Sequence, residues 1–195
     1  MTTARSPHAD SRLPKVLDEA ARLFRTKGFE GTSVRDIARA VGILPGSLYC
    51  HFETKEALLV AVYVKGVQQI SDAVQAAMDK KTDPWDRLEA ACVAHLESIL
   101  RDDDYAQVVV RVRPADVPVV HRSLIDLRNQ YEALFDGLVR DLPLGRNADR
   151  GALRLMLMGA MNWSQTWYRP EGRLNPRAIA RRFIALLRQG QEVPA

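Results

Sequence analysis

Thr32 to Lys55, TSVRDIARAVGILPGSLYCHFETK, holds two short helical patterns that meet across one glycine. In the first, Val34, Ile37, Ala38 and Val41 recur at i, i+3, i+4 and i+7 and share one helix face. Thr32 and Ser33 stand just before it, where a hydroxyl oxygen can accept from the free amides of the first turn. Asp36, three residues after Ser33, gives an acidic form of the capping box and complements the positive helix end. Gly42 follows Val41, and only glycine enters a left-handed C-terminal turn without a Cβ penalty. Pro45 then suits the first position of a second helix, read as Pro45 to Phe52 with Leu48 and Phe52 inward. Leu44, Gly46, Ser47, Tyr49, Cys50 and His51 are left to solvent or a partner. The spacing predicts a helix-turn-helix whose second helix fits a major groove about 12 Å wide, its first turn at the base edges. An αα-hairpin with no role on DNA has the same spacing.

Outward from that stretch, 195 residues with 47% hydrophobic content suffice for a small domain, a larger one and a buried core. The formal charge is +4. Residues 1–55 carry nine Lys or Arg against six Asp or Glu, and the remaining 140 carry nineteen against eighteen. The excess lies where the helix-turn-helix lies, as a polyanionic partner requires. Cys50 and Cys92 form no disulfide or metal spacing, so both are read as free thiols, Cys92 as core packing and Cys50 as an oxidisable group on the outward face. There is no H-x-x-x-H, G-x-S-x-G or phosphate loop. Cys50 and His51, adjacent on a helix, point about 100° apart and cannot serve as nucleophile and base within one subunit. The chain is therefore not expected to be an enzyme, and it is assigned no catalytic residue, metal ligand or cofactor. No secretory signal opens it, and the apolar run Leu155 to Trp163 is too short to cross a bilayer, which predicts a soluble cytoplasmic protein without a membrane partner.

The rest of the chain reads as helices. Residues 1–12 form a polar arm, expected to be disordered. Leu17, Ala20, Ala21 and Phe24 mark a first helix ended by Gly28. A long helix follows from about Lys55 to Lys80, then one from Asp83 to Leu100 with an Asp cap. Tyr105 to Val112 has the β-branched run of a strand, but a solitary strand among helices lacks a partner, so it too is read as helix. Val119 to Leu142, a helix from Asn147 or Asp149 to about Tyr168, and a last helix from Asn175 complete an all-α chain. It divides into a three-helix head (13–57) and a six-helix body (58–195).

Phe24, Gly28, Thr32, Ile37, Ala38, Gly42, Gly46, Leu48, Tyr49, His51, Phe52, Lys55, Glu56 and Leu58 together make a pattern that resembles the DNA-binding domain of the TetR family of bacterial transcriptional regulators. The resemblance implies double-stranded DNA as partner. It places Thr32 or Ser33, Tyr49, His51 and Lys55 on backbone phosphates, and Leu44, Pro45, Gly46, Ser47 and Cys50 near base edges. Pro45 stands where the family often has Lys or Arg, and Cys50 where it often has tyrosine. Fewer long donors remain, so thymine methyls and DNA shape are expected to carry more of the specificity.

In the body the resemblance implies a homodimer built from the last two helices, with Met156, Gly159 and Ala160 allowing close approach and Ile179, Phe183 and Leu187 as an apolar stripe. Completion of a monomer core is the other reading of those residues. AQVVVRVRP, LRNQYEALFDGLV and NWSQTWYRPEGRL look similar to TetR-type repressors of fatty-acid, aromatic and steroid degradation that respond to acyl-CoA thioesters. That implies a small-molecule effector, with Arg111, Arg113 and Arg128 toward its phosphates and Tyr131, Asn162 and Trp163 in the pocket. The same arginines can instead be paired with Asp102, Asp103, Asp104 or Asp126. The expected function is a ligand-responsive repressor released from a palindromic operator.

Overall fold

The chain's helix boundaries follow its caps. Ser33 Oγ accepts from the Asp36 amide at 3.1 Å while Asp36 Oδ2 accepts from the Ser33 amide, also at 3.1 Å, closing the box read from the sequence. Asp83, Asp149 and Asn175 accept from the Asp86, Ala152 and Ala178 amides at 3.0, 2.8 and 2.8 Å. Gly28 at φ 76° and Gly42 at φ 74° end helices in conformations that L side chains rarely adopt.

The computed structural model describes residues 12–189, and the arm of residues 1–12 lies outside them except for Arg12. Among the described residues there are nine α-helices and no strand. They are α1 (Leu13–Lys27), α2 (Val34–Val41), α3 (Pro45–Tyr49), α4 (Lys55–Met78), α5 (Pro84–Ile99), α6 (Asp104–Arg111), α7 (His121–Arg140), α8 (Arg150–Trp167) and α9 (Pro176–Gln189). Pro114–Asp116 and Pro118–Val120 add two short 3-10 turns before α7. The ambiguous β-branched run is thus helix α6. The second helix of the helix-turn-helix is shorter than its apolar spacing predicts. After Tyr49 the chain tightens, with the His51 and Phe52 amides both donating to the Leu48 carbonyl at 3.0 Å, and Thr54 Oγ1 then accepts from the Ala57 amide to start α4.

Two compact units divide the chain. One holds the residues through Gly66 together with Asp104–Leu127, the other Val67–Asp103 together with the residues from Arg128 on. The first unit is therefore larger than the three-helix head, because α6 lies against α1. Three polar contacts hold it there. Arg25 Nη1 donates to Asp104 Oδ1 at 2.8 Å, Tyr105 Oη to Asp18 Oδ1 at 2.7 Å, and Lys65 Nζ to both Asp18 Oδ1 and Tyr105 Oη at 3.0 and 2.8 Å. Burial works to raise the Asp18 pKa, but the bonds from Tyr105 and Lys65 outweigh it and hold the carboxyl below its ordinary value. In the second unit α9 packs along α5, and α8 also contacts α5. Ile179, Ala180 and Ile184 are buried on α9, and Leu88, Ala91, Cys92 and Leu96 on α5. Burial pushes the Cys92 thiol up, so it stays protonated packing.

By length and composition α4 would suffice to cross a bilayer, but 44% of its apolar stretch is buried within the protein. Leu58, Leu59, Val62, Tyr63, Ile70, Val74 and Met78 are its buried residues, the pattern of a core helix.

Gly66 lies flush against α6. A Cβ built there falls 2.8 Å from the Tyr105 carbonyl oxygen and 2.7 Å from Val109 Cγ2. Alanine ordinarily favours a helix by about 1 kcal/mol over glycine. Here the backbone clash dominates, and Gly66→Ala is expected to destabilise the chain by about 1–3 kcal/mol in urea unfolding.

Candidate nucleic-acid interface and effector site

The helix-turn-helix is fixed from behind. Leu48 is 1% exposed and anchors α3, while the apolar face of α2 (Val34, Ile37, Ala38, Val41) is buried. Gly42 makes the turn, with its own amide on the Arg39 carbonyl at 3.2 Å and the Ile43 amide on the Ala38 carbonyl at 3.0 Å, the two bonds of a Schellman cap. Outward lie Leu44 at 77% exposure and Tyr49 at 50%, with Gly46, Ser47 and Cys50 also exposed and Pro45 and His51 half-buried.

Three of the residues that the motif places on phosphates have polar groups already engaged within the head. Thr32 is buried and its hydroxyl reaches the Gly28 and Leu23 carbonyls at 2.8 and 3.2 Å. A phosphate only accepts, and Thr32 has one proton, already given to the end of α1. Ser33 donates its hydroxyl proton to Asp36 Oδ2 at 2.6 Å and its amide to the same carboxylate. Those bonds hold the Asp36 pKa below the ordinary carboxylate value. Lys55 Nζ donates to the Phe29 carbonyl at 2.9 Å and sits 4.1 Å over the Phe29 ring, with two further protons to give. Cys50 bends back onto its own helix, Sγ to the Gly46 carbonyl at 3.3 Å. Exposed cations that motif reading did not single out are Arg35 and Arg39 on the outer side of α2. The period itself could have found them, since they fill the positions between the apolar ones.

In the second unit, His95 of α5 is 2% exposed and is the centre of a polar cluster. Tyr131 Oη lies 2.6 Å from His95 Nδ1, and Asn162 Oδ1 lies 3.1 Å from Nε2. The amide oxygen can only accept, so Nε2 carries the proton and the tyrosine hydroxyl donates to Nδ1. The imidazole is stacked on the Tyr131 ring (centroids 5.7 Å apart, planes at 19°) and meets Phe135 edge-on at 5.7 Å. Burial lowers the His95 pKa from 6.5 to about 4, with the Asn162 hydrogen bond opposing the shift. The ring is neutral near pH 7.

Of the expected pocket residues, Tyr131 and Asn162 meet at His95. Arg113 is exposed and held bidentate by Asp116, Nε and Nη2 each at 2.9 Å, so it is an ion-paired surface group. Asp104 and Asp126, proposed as arginine partners, are engaged by Arg25 and Arg122. Arg111 is exposed and Arg128 half-buried. Trp163 is 68% exposed and turned away from the cluster. It shares an outer face of α8 with Leu155 (62%), Met156 (57%), Trp167 (47%) and the exposed Gly159, with Ala160 half-buried at its border. On α9 the expected stripe divides. Ile179 is 3% exposed because α9 packs on α5 within the chain, whereas Phe183 and Leu187 are half-buried and Leu186 is 66% exposed. A groove of about 370 Å³ along α5 and α9 is lined by charges that pair across it, Arg177 with Glu97 and Arg181 with Glu89.

Among the described residues, nine helices without a strand, a helix-turn-helix presented on a buried back, and a helical unit with an apolar outer face define a one-component DNA-binding regulator. The chain belongs to the TetR family: residues 16–62 match the bacterial regulatory proteins of the tetR family, and residues 81–191 match the tetracyclin repressor-like C-terminal domain. It is a transcriptional regulator and not an enzyme. The transcriptional repressor KstR2 of Mycobacterium tuberculosis is 30% identical to it over 190 residues, covering 93% of each chain. Among solved structures, the superantigen PfiT superposes with a TM-score of 0.78 at 29% identity, covering 94% of this chain and 97% of that one. AibR, crystallised with isovaleryl coenzyme A and operator DNA, superposes with a TM-score of 0.76 at 23% identity, over 90% and 97% of the two chains, a likeness of fold.

The depressed His95 pKa makes stability pH-dependent with a definite sign. Between pH 6.5 and about 4 the unfolded chain takes up the proton that the folded chain refuses, so stability is full above 6.5 and is lost as pH falls toward 4. The loss is on the order of 3 kcal/mol. About 2 kcal/mol of it falls between pH 7 and pH 5, where urea unfolding is expected to show the drop in the parent protein and a much smaller one in His95→Gln.

Proposed function

We propose that the chain is a dimeric repressor that leaves a palindromic operator when a small molecule, of the acyl-CoA thioester class, binds its helical body. The observation that carries the DNA half of this reading is the outward face of α3, solvated and backed by a buried Leu48. In functional terms residues 13–57 are the DNA-binding head and 58–195 the ligand-binding and dimerisation body. One recognition helix reads only a few base pairs, and two copies about 34–36 Å apart read both halves of a palindrome. The apolar outer face of α8, with Met156, Gly159 and Trp163, supports pairing with a second copy, because a solvated patch of that composition is costly to leave uncovered. On this reading Trp163, 68% exposed, contributes to the dimer face, and Ile179, 3% exposed, to the core of the chain itself. The repressor sign is supported by KstR2, and the effector class by the coenzyme A thioester bound to AibR. A role on operator DNA supports a cytoplasmic location.

Linkage sets the requirement on the effector. A ligand lowers operator affinity only by as much as it prefers the released state, and a tenfold release needs about 1.4 kcal/mol of preference. The continuity of α4 from Lys55 to Met78 supports it as the element that carries that preference toward α3.

Two measurements test the reading. In sedimentation the parent protein is expected at twice the 21.9 kDa chain mass. Met156→Glu with Trp163→Glu should give a folded monomer whose operator affinity is lower by roughly 100-fold, since the second head no longer binds in tandem. A monomeric parent would overturn the dimer. Melting curves against a panel of acyl-CoA thioesters, isovaleryl-CoA included, should show stabilisation by at least one member, with matching release of operator DNA in fluorescence anisotropy; no shift with any member would exclude this effector class.

A further inference from the structure

We propose that Leu44 is a base-reading residue and that it takes the C5-methyl group of thymine in the major groove of each half-site. The inference rests on the DNA-binding reading above and specifies one contact within it. Leu44 is the N-cap of α3, with extended backbone at φ −72° and ψ 141°, so its side chain stands at the end of the helix that enters the groove first. It is 77% exposed. A solitary exposed leucine ordinarily means nothing. This one is marked by its surroundings: Pro45, Gly46 and Ser47 follow it, and a Cβ at Gly46 would meet no atom within 4 Å. The rest of the first turn is low and open, and Leu44 is its longest side chain.

Several polar groups nearby are committed elsewhere, and on the first turn of α3 Ser47 offers a hydroxyl on a shorter side chain. Cys50 Sγ is bonded to the Gly46 carbonyl, and the Thr32 and Ser33 hydroxyl protons go to Gly28 and Asp36. A leucine pressed against the N7 and O6 acceptors of a purine, or the N4 donor of cytosine, strips water from them and returns no hydrogen bond. The thymine methyl is the apolar group that the major-groove edge displays, so contact with it buries apolar surface on both sides. Discrimination then has two parts, a gain at thymine and a desolvation loss at other bases.

Uracil in place of thymine removes that methyl and changes no hydrogen bond, which isolates the contact. A duplex selected from random DNA by the full-length protein would have each thymine replaced singly, in both half-sites, by uracil. At one position per half-site the affinity of the parent protein is expected to fall roughly threefold to fourfold per half-site, the effect of losing one methyl-sized contact. Leu44→Ala should lose affinity on the thymine duplex by a comparable or larger factor and become indifferent to uracil at that position alone. Since Leu44 is 77% exposed, the variant should melt close to the parent. A parent protein that binds the selected duplex tightly yet ignores uracil everywhere would overturn the inference and leave the DNA-binding reading intact. Retention of the uracil penalty by Leu44→Ala would assign the methyl to another residue and overturn it equally. Failure to bind any duplex would overturn the broader reading itself.

Discussion

With φ at 74°, Gly42 lets the chain reverse within two residues, and the orientation of everything after it follows. The Ile43 amide must reach the Ala38 carbonyl, which fixes where α3 starts and in which rotation about its axis. In that rotation Leu48 falls into the core, and Leu44, Ser47 and Tyr49 face out. Eight residues of α2 and five of α3 are far below the length at which an isolated helix persists in water. Both exist because the turn and the Ser33–Asp36 box hold their ends while α1 packs against α2 and α2 against α3.

That support draws on polar groups, and this alters how the family pattern is to be read here. Thr32 spends its one hydroxyl proton on the C-terminal carbonyls of α1, and Ser33 spends its own on Asp36. Lys55 spends one of three on Phe29. Donor counting therefore separates residues that a motif treats alike: Lys55 can hold the head together and still meet a phosphate, while Thr32 can do only the first. Exposed Arg35 and Arg39 are better supplied, with guanidinium groups that carry several donors each.

Local rules in the sequence foretold the capping box, the glycine turn and the Asp83 and Asn175 starts, and narrowed the start of α8 to Asn147 or Asp149, because each depends on neighbours within five residues; the helical state of the Tyr105 run followed instead from the lack of a partner strand. What they missed depends on distant partners. The pairing of Arg25 with Asp104 and the bonding of Asp18, Lys65 and Tyr105 link residues far apart in the chain, and no period announces them. For α8 the difficulty was of another kind. A helix apolar nearly all round gives no phase, so Trp163 could be read into a pocket although it lies on the outer face. Ile179 was misread for the matching reason: a stripe on α9 shows that something covers it, not whether the cover is α5 or a second copy.

The His95 cluster constrains any effector that reaches it. Both ring nitrogens are satisfied, by Tyr131 and Asn162, in a site dry enough to push the imidazole pKa to about 4. An apolar chain that displaced either partner would leave a buried nitrogen without a hydrogen bond, at about 1–3 kcal/mol. That is as much as the preference between states needed for a tenfold to hundredfold release from DNA. A guest of purely hydrocarbon character would thus lose at His95 what it gained by burial. A thioester carbonyl can accept from the Nε2 proton in place of Asn162, and a hydroxyl can donate to Nδ1 in place of Tyr131. On the proposed reading, a guest that reached His95 would have to replace whichever hydrogen bond it displaced.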